Sequence, residues 1–252
     1  PTKQGLKIPE MFDGAINKDV KAVWIIGEDI VQTDPNSAHV VQAMNSLELL
    51  VVQEIFMSET AKLATVVLPG TTFLEKNGTF TNTERRIQRV NQAVPPLPGT
   101  KTDGMIVTDM MQKLGFDQPT YDADQVLAEI ADIVPFFKGV TRERLGKMGL
   151  QWPVQEDGTD TQILHQETFK LGKGRLKNFD WKESTEIETN KKEYPLILTT
   201  SRVLQHYNAA TMTRRTKNIN IVDEDVLLIH PKDAAHRDIN TGDIGRLYSG
   251  RG

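Results

Sequence analysis

The sequence predicts an α/β fold in which helices cover a parallel sheet, followed by a smaller second domain that begins with a strand. In the first half, short apolar runs of strand length alternate with helical patterns, which is typical of parallel sheets with crossover helices. Between residues 151 and 193 the periodicity is lost and Lys, Glu, Asp, Gly and Thr are abundant, as in a connection between domains. We therefore predict domains at 1–150 and 194–252, joined by 151–193.

The elements of the first domain follow from local patterns. A strand is predicted at Ala22–Ile26, five apolar residues before a glycine. A helix is predicted at 35–46, with Asp34 as its cap and one apolar face formed by Ala38, Val41 and Met44. Strands are also predicted at 48–52, 65–68 and 87–90, and helices at 58–64, 103–114, 122–134 and 141–148.

In the second domain, apolar runs predict strands at 195–200, 225–229 and 244–248. A short helix is predicted at Pro231–Ala235, and a turn at 240–243 precedes the last strand. That last strand would have no successor to pair with, and proteins usually avoid an unpaired edge. Because the chain also opens on Pro1, we expect it to be part of a longer polypeptide.

The composition, 38% hydrophobic and 25% charged over 252 residues, is ordinary for a globular protein. A formal net charge of -4 gives no broad attraction to nucleic acid or anionic lipid. No run reaches the roughly 20 apolar residues that span a bilayer, and no signal peptide is evident. We therefore expect a cytoplasmic protein with no nucleic-acid partner. The absence of cysteine excludes disulfides and cysteine ligands to metals or iron–sulfur clusters within this chain.

Polar residues follow the predicted parallel strands at their carboxyl ends, where ligands bind in open α/β sheets. Gly27, Glu28 and Asp29 follow the first strand, and Gln53 and Glu54 follow the second. Ser58, Glu59 and Thr60 could offer hydroxyls and free amides at a helix start to a diphosphate. The alternatives are an ordinary polar turn after the first strand and a plain helix cap at Ser58. No G-x-G-x-x-G follows the first strand, so a Rossmann-type nicotinamide site loses its main support.

A polar segment at 77–86 surrounds a single aromatic, Phe80, with Asn, Thr and Gly, and this composition indicates a segment that presents hydrogen-bonding groups. Its arginines, Arg85 and Arg86, together with Arg89, could face phosphate or a partner, or could be a solvated charged face.

The densest cluster of donors and acceptors follows the first strand of the second domain, at 199–202 and 205–208. Such a cluster suits a heteroaromatic ligand with many polar edges, and its candidate residues are Thr200, Arg202, His206 and Tyr207. The alternative is that His206 and Tyr207 pack against the sheet. No second His stands at ligand spacing from His206, so a zinc site is not indicated, and no G-x-S-x-G nucleophile motif occurs.

Several of these motifs resemble those of the molybdopterin-dinucleotide oxidoreductases, and among them formate dehydrogenase catalytic subunits most closely. The matching stretches are G-E-D at 27–29, V-V-Q-E-I-F at 51–56, S-E-T-A at 58–61, V-L-P-G at 67–70, G-T-F-T-N-T-E-R-R-I-Q at 78–88 and T-S-R-V-L-Q-H-Y-N at 200–208. The resemblance implies a dinucleotide-binding-like domain followed by the truncated start of a β-barrel-like cap. It also implies two molybdopterin guanine dinucleotides that bind molybdenum or tungsten.

Carried onto this sequence, the resemblance implies dinucleotide contacts at Gly27, Glu28, Asp29, Gln53, Glu54 and Thr60, and pterin contacts at Thr200, Arg202, His206 and Tyr207. The family's iron–sulfur and catalytic residues precede this region, so no catalytic residue and no metal ligand are expected here. The resemblance implies formate oxidation, with the rest of the catalytic subunit and an electron-transfer subunit or domain as partners. The alternatives are another molybdopterin enzyme, such as a nitrate reductase, and a standalone module that binds the pterin cofactor.

Overall fold

The computed structural model describes residues 4–182 and 192–249. The chain divides into two compact units, each described by itself below. The first consists of Pro1–Ile30 and His39–Arg175, and the second of Val31–Ala38 and Leu176–Gly252. Residues 151–175, part of the predicted connection, lie in the first unit, and the predicted domain boundaries stay a prediction.

The first unit contains a parallel sheet of three strands in the order β1–β2–β3, which confirms the predicted fold class. The strands are Ala22–Ile26 (β1), Leu49–Glu54 (β2) and Val66–Pro69 (β3). Val23 pairs with Leu50, and Val52 pairs with Val67. The central strand β2 carries the most buried side chains, including Leu50, Val52 and Gln53, because its neighbours and the helices cover it. This register sets which side chains meet at the carboxyl edge of the sheet.

Helices alternate with these strands along the chain as predicted, with differences in their limits. The helices are Ile8–Ile16 (α1), Ile30–Thr33 (α2), Ser37–Ser46 (α3) and Glu59–Lys62 (α4), and residues 31–38 of α2 and α3 belong to the second unit. The prediction missed α1 and α2, and α3 begins two residues later than expected. The apolar face predicted for α3 is wrong in part: Val40, Ala43 and Met44 are buried, whereas Ala38 is exposed. Residues at positions i, i+3 and i+4, such as Val40, Ala43 and Met44, lie closer together on one face of a helix than residues spaced strictly by three.

A second sheet in the same unit is antiparallel, in the order β4–β5–β6. Its strands are Gly78–Thr81 (β4), Arg86–Val90 (β5) and Leu150–Gln151 (β6). Arg86 pairs with Gln151, so the chain returns to β5 after three helices. Those helices are Asp103–Lys113 (α5), Ala123–Ile133 (α6) and Arg142–Leu145 (α7), the last being a single turn where a helix over 141–148 is predicted. A buried cluster ties the sheet to these helices, and its members are Ile87, Leu127, Val140, Leu145 and Val154.

The described residues of the second unit form no strand and no closed barrel. The strands predicted at 195–200, 225–229 and 244–248 are therefore wrong for this structure. Leu198, Leu228 and Ile244 from these segments are 62%, 89% and 102% exposed. Local β propensity forms a strand only when another strand accepts its backbone hydrogen bonds, and no such partner is present among the described residues. The helix predicted at Pro231–Ala235 is confirmed.

Candidate functional site

The carboxyl edge of the parallel sheet brings together residues from the ends of β1 and β2. Ile26 pairs with Gln53, and the Gly27 N–H donates to the Gln53 carbonyl over 2.9 Å. Glu54 pairs with Pro69, and its carbonyl accepts the Gly70 N–H over 3.0 Å. Gly27, Gln53 and Glu54 thus share one edge, the location at which open α/β sheets bind their ligands.

Gly27 makes the turn out of β1 and leaves room above it. Its φ of +64° lies in the left-handed region, which residues other than glycine rarely adopt. No atom lies within 4 Å of the position that a Cβ would take. Glu28, the next residue, is exposed. The backbone at Gly27 can therefore be approached closely from solvent.

Asp29 connects this turn to the start of α4. Its carboxylate is 7% exposed, and Oδ1 accepts from the Thr60 amide at 3.0 Å and from the Thr60 hydroxyl at 2.8 Å. Oδ2 lies 3.4 Å from the Glu59 amide. A carboxylate at a helix N-terminus satisfies orphan amides and opposes the positive end of the helix dipole. The amides of Glu59 and Thr60 are therefore already bonded to the protein.

Ser58 is the N-cap of α4, because its hydroxyl accepts the Ala61 amide at 3.1 Å. This is the plain capping role that the sequence leaves open as an alternative. Glu54 is half-buried, and its carboxylate accepts the amide of Ile55 at 2.7 Å. Both side chains therefore fix the local backbone of this edge.

Gln53 belongs to a chain of side-chain contacts that the sequence analysis missed. Its side chain is 1% exposed, and Nε2 donates to Asp103 Oδ1 over 2.8 Å. Asp103 Oδ2 accepts from Lys76 Nζ at 2.6 Å. Burial raises the pKa of Asp103, but the hydrogen bonds from Lys76 and Gln53 and the charge of Lys76 outweigh it and lower that pKa overall. Lys76 and Asp103 also line a cavity of about 190 Å³. In the sequence, the only indication of these contacts is that Asp103 is an acidic residue at the start of a predicted helix.

Two buried polar atoms near this edge have no hydrogen-bond partner among the described residues: Gln53 Oε1 and the hydroxyl of Thr71. Thr71 follows β3 directly, beyond Gly70. An unsatisfied buried polar atom costs roughly 1–3 kcal/mol. Both atoms are enclosed by the protein, so the open turn at Gly27 is the part of this edge that a ligand can approach.

The polar segment at 77–86 uses much of its hydrogen-bonding capacity inside the protein. Asn82 Oδ1 accepts the amides of Glu84 and Arg86, at 3.1 and 2.9 Å. The guanidinium of Arg85 donates to the carbonyls of Thr161 and Gln162 at 3.0 Å, and also to that of Trp152. Arg85 therefore anchors the segment after β6 and is not part of a freely solvated charged face.

In the second unit, His206 is held by its own loop. It is 9% exposed, and Nε2 lies 2.7 Å from the carbonyl of Val222, which can only accept. Nε2 therefore carries a proton, and Nδ1 lies 3.0 Å from the hydroxyl of Thr213. Tyr207 is 73% exposed, and Thr200 and Arg202 are also exposed. His206 thus organises a loop whose other predicted site residues face solvent.

Within residues 4–182 and 192–249, no three His, Cys, Asp or Glu side chains are arranged to hold a metal ion. In the same ranges, no helix has the length and apolar character needed to cross a bilayer.

Comparison with known proteins matches two family models in order along the chain. A model described as molybdopterin oxidoreductase matches residues 1–113, and one described as molydopterin dinucleotide binding domain matches residues 196–252. The first region contains the sheet edge, and the second contains the His206 loop.

Relatives and a solved structure agree with these matches. The chain is 42% identical over 252 residues to the F420-dependent formate dehydrogenase subunit alpha of Methanocaldococcus jannaschii, covering 98% of this chain and 37% of that protein. It is 41% identical over 254 residues to the F420-dependent formate dehydrogenase 2 subunit alpha of Methanococcus maripaludis, with the same coverage. The chain thus spans 37% of the length of these relatives.

The fold is similar to that of the acetylene hydratase from Pelobacter acetylenicus, with a TM-score of 0.67 and 21% sequence identity. That match covers 93% of this chain and 35% of the other. At this identity the likeness concerns the fold alone. The two family models and the relatives carry the assignment, and the chain belongs to the molybdopterin oxidoreductase family.

Proposed function

We propose that this chain supplies binding surface for a molybdopterin guanine dinucleotide in an oxidoreductase that converts formate to carbon dioxide. Two formate dehydrogenase alpha subunits at 42% and 41% identity support formate as the substrate. The matched dinucleotide-binding model supports the cofactor class. Molybdenum and tungsten both remain candidates for the metal.

The observation that carries the proposal is the open glycine turn at the carboxyl edge, where Gly27 has a φ of +64° and no atom lies within 4 Å of the position that a Cβ would take. We propose that the dinucleotide binds along this edge, at Gly27, Glu28, Asp29, Gln53, Glu54 and Thr60. Asp29 and Thr60 serve this site by holding its wall together, since their polar atoms already bond each other.

The exposed polar residues of the His206 loop are proposed to lie against the pterin. Arg202 and Tyr207 offer a charged donor and an aromatic face, and Thr200 adds a hydroxyl. His206 holds the loop through Val222 and Thr213. When bound, the cofactor supplies the redox chemistry by which formate loses two electrons and one proton. This chain binds and orients it, and no residue here is assigned to catalysis.

The remaining parts of the proposal follow from the relatives. Because these are alpha subunits that exceed this chain in length, we propose that the rest of the same subunit carries the iron–sulfur cluster and the metal ligands. An electron-transfer subunit or domain would then accept the electrons. A cytoplasmic location stays a prediction from the sequence.

The test uses the whole protein that contains this chain, purified under anaerobic conditions. We expect molybdenum or tungsten together with guanosine monophosphate released by acid, and formate-dependent reduction of a viologen dye. A protein with metal and nucleotide but without formate turnover would point to another substrate, such as nitrate. A protein with neither metal nor nucleotide would overturn the proposal.

A further inference from the structure

Helix α6 has a second apolar stripe besides the one that faces the core. Leu127 and Ala131 are buried. Val126, Ile130 and Ile133, which follow the i, i+4, i+7 spacing of one helix face, are 40%, 38% and 68% exposed. A helix on the surface of a globular protein normally has polar residues on its outward face. The outward stripe of α6 is therefore typical of a helix that is covered on both sides.

Apolar side chains of the antiparallel sheet lie opposite this stripe. A cavity of about 190 Å³ lies between α6 and the strands β4 and β5, and its apolar lining includes Phe80, Val90, Val126 and Ile130. Phe80 is 51% exposed and packs edge-on against the ring of Phe73, which is 52% exposed, with ring centres 6.2 Å apart. The surface formed by Phe73, Phe80, Val126 and Ile130 is called the α6 cleft below. Contiguous exposed apolar surfaces of this kind mark interaction sites.

The size and chemistry of the α6 cleft fit a protein segment better than a small molecule. Cavities that bind small molecules and cofactors measure roughly 300–1,000 Å³ and contain several converging polar groups. This cavity is smaller, and two charged side chains of its lining, Lys76 and Asp103, already pair with each other at 2.6 Å. In the cores of protein interfaces aromatic residues are enriched and charged residues are depleted. The cleft can thus accept a few apolar side chains of a polypeptide.

The solvent side of α6 is acidic. The helix contains Asp124, Glu129 and Asp132, and it has no Lys or Arg. Asp124 accepts from Arg142 at 2.6 Å, and the exposed Glu129 directly precedes Ile130 of the cleft. Opposite charges across an interface fix its register and disfavour wrong partners. A segment that fills the cleft is therefore expected to place Lys or Arg opposite Glu129.

We infer that the α6 cleft is a docking surface for the rest of the same subunit, which covers it with an apolar segment that contains Lys or Arg. The inference rests on the proposed function, because it takes this chain to be part of a longer subunit. The chain spans 37% of the length of its formate dehydrogenase relatives, so most of each relative lies outside the match. Permanent interfaces are more apolar than transient ones. The apolar lining thus favours a segment of the same polypeptide over a separate electron-transfer subunit.

The test is hydroxyl-radical labelling of the whole subunit that contains this chain, purified first alone and then as the complete enzyme. Mass spectrometry gives the labelling rate of each side chain as a fraction of its rate in the urea-unfolded protein. Phe12, which is 5% exposed, supplies the value for a buried side chain. We expect Phe80 and Ile130, 51% and 38% exposed in this chain, to be as protected as Phe12 already in the subunit alone.

Three results would overturn the inference. The first is labelling of Phe80 and Ile130 near their exposed fractions of 51% and 38% in both preparations. The second is protection that appears only in the complete enzyme, which would assign the cleft to another subunit. The third is protection in the subunit alone that is lost on dilution, which would assign the cleft to a second copy of the subunit.

A matched pair of substitutions on α6 gives an independent measurement. Ile130→Gln introduces an amide into the cleft, and Ala128→Gln introduces the same side chain at another exposed position of the helix. A polar group that is buried without a partner is destabilising, whereas exposed substitutions change stability little. In the whole subunit we expect Ile130→Gln to lower the thermal midpoint by several degrees and Ala128→Gln to leave it nearly unchanged. Equal midpoints for the two variants would contradict the covering of the cleft.

Failure of the proposed function would give a different result. A whole protein that contains neither metal nor guanosine monophosphate would refute the proposed function. Protection of Phe80 and Ile130 in that same sample would still support the docking surface, because labelling depends on packing and not on the cofactor.

Discussion

Replacing Asp29 by alanine should destabilise the protein because two buried donors lose their acceptor. The Thr60 amide and hydroxyl both bond Asp29 Oδ1, at 3.0 and 2.8 Å, and Thr60 is fully buried. An unsatisfied buried donor costs roughly 1–3 kcal/mol, so the loss of an acceptor for two donors in Asp29→Ala should lower the free energy of unfolding by about 2–6 kcal/mol. For a chain of this size that corresponds to a fall of several degrees in the thermal midpoint.

Asp29→Asn is the matched control, because its remaining oxygen can still accept from Thr60. Its amino group would replace Oδ2 opposite the Glu59 amide, where the contact is already long at 3.4 Å. We expect a loss of only about 1 kcal/mol for this variant. Urea unfolding followed by far-UV circular dichroism measures both. A difference between the two variants below about 0.5 kcal/mol would refute the reasoning, because it would show that Thr60 does not depend on this acceptor.

Three further predictions concern residues outside this pair. Arg85→Lys removes the guanidinium group that donates to several carbonyl groups at once. Limited proteolysis between residues 151 and 165 should therefore accelerate roughly fivefold. An unchanged rate would contradict the anchoring role. Gly104→Ala places a Cβ 2.1 Å from the Tyr121 ring and should cost about 1–3 kcal/mol. The cost should shrink in a Tyr121→Ala background, as a double-mutant cycle would reveal. The lowered pKa of Asp103 means that its pairing with Lys76 stabilises the fold fully above the carboxyl's ordinary pKa of about 3.9. That stabilisation is lost as pH falls through the lowered value, so the stability difference between wild type and Lys76→Met should shrink from pH 5 to pH 3.

The parallel sheet could be predicted because its signals are local. Strand β1 is an unbroken apolar run ended by a glycine that the turn needs, and β2 and β3 also contain apolar runs. Parallel strands place their carboxyl ends at one edge, so Gly27, Gln53 and Glu54 could be expected together before any coordinates were known. The burial of Asp29 could not be predicted, because a polar residue in a turn is usually exposed.

The rest of the site depends on contacts between residues distant in sequence. Lys76 and Gln53 meet Asp103 from other elements, and no local pattern encodes those distances. The polar segment at 77–86 shows the opposite problem, since Asn82 and Arg85 have the residue types of a ligand site but bond the protein itself. Hydrogen-bonding capacity is visible in a sequence, whereas the identity of the partner is not.

Because Arg86 pairs with Gln151, the stretch of chain between β5 and β6 begins and ends at the same place in the sheet, and its length can vary. The chain leaves β5 and returns beside it, so the stretch with α5, α6 and α7 is an excursion with both ends at one strand. The entropy of closing such a loop grows slowly, by about 0.6 kcal/mol for each doubling of its length. Insertions at solvent-facing turns of the excursion, such as 115–121, should therefore be tolerated. Its two ends, Asp103 at the sheet edge, and the buried cluster residues Leu127, Val140 and Leu145 are bound to fixed positions.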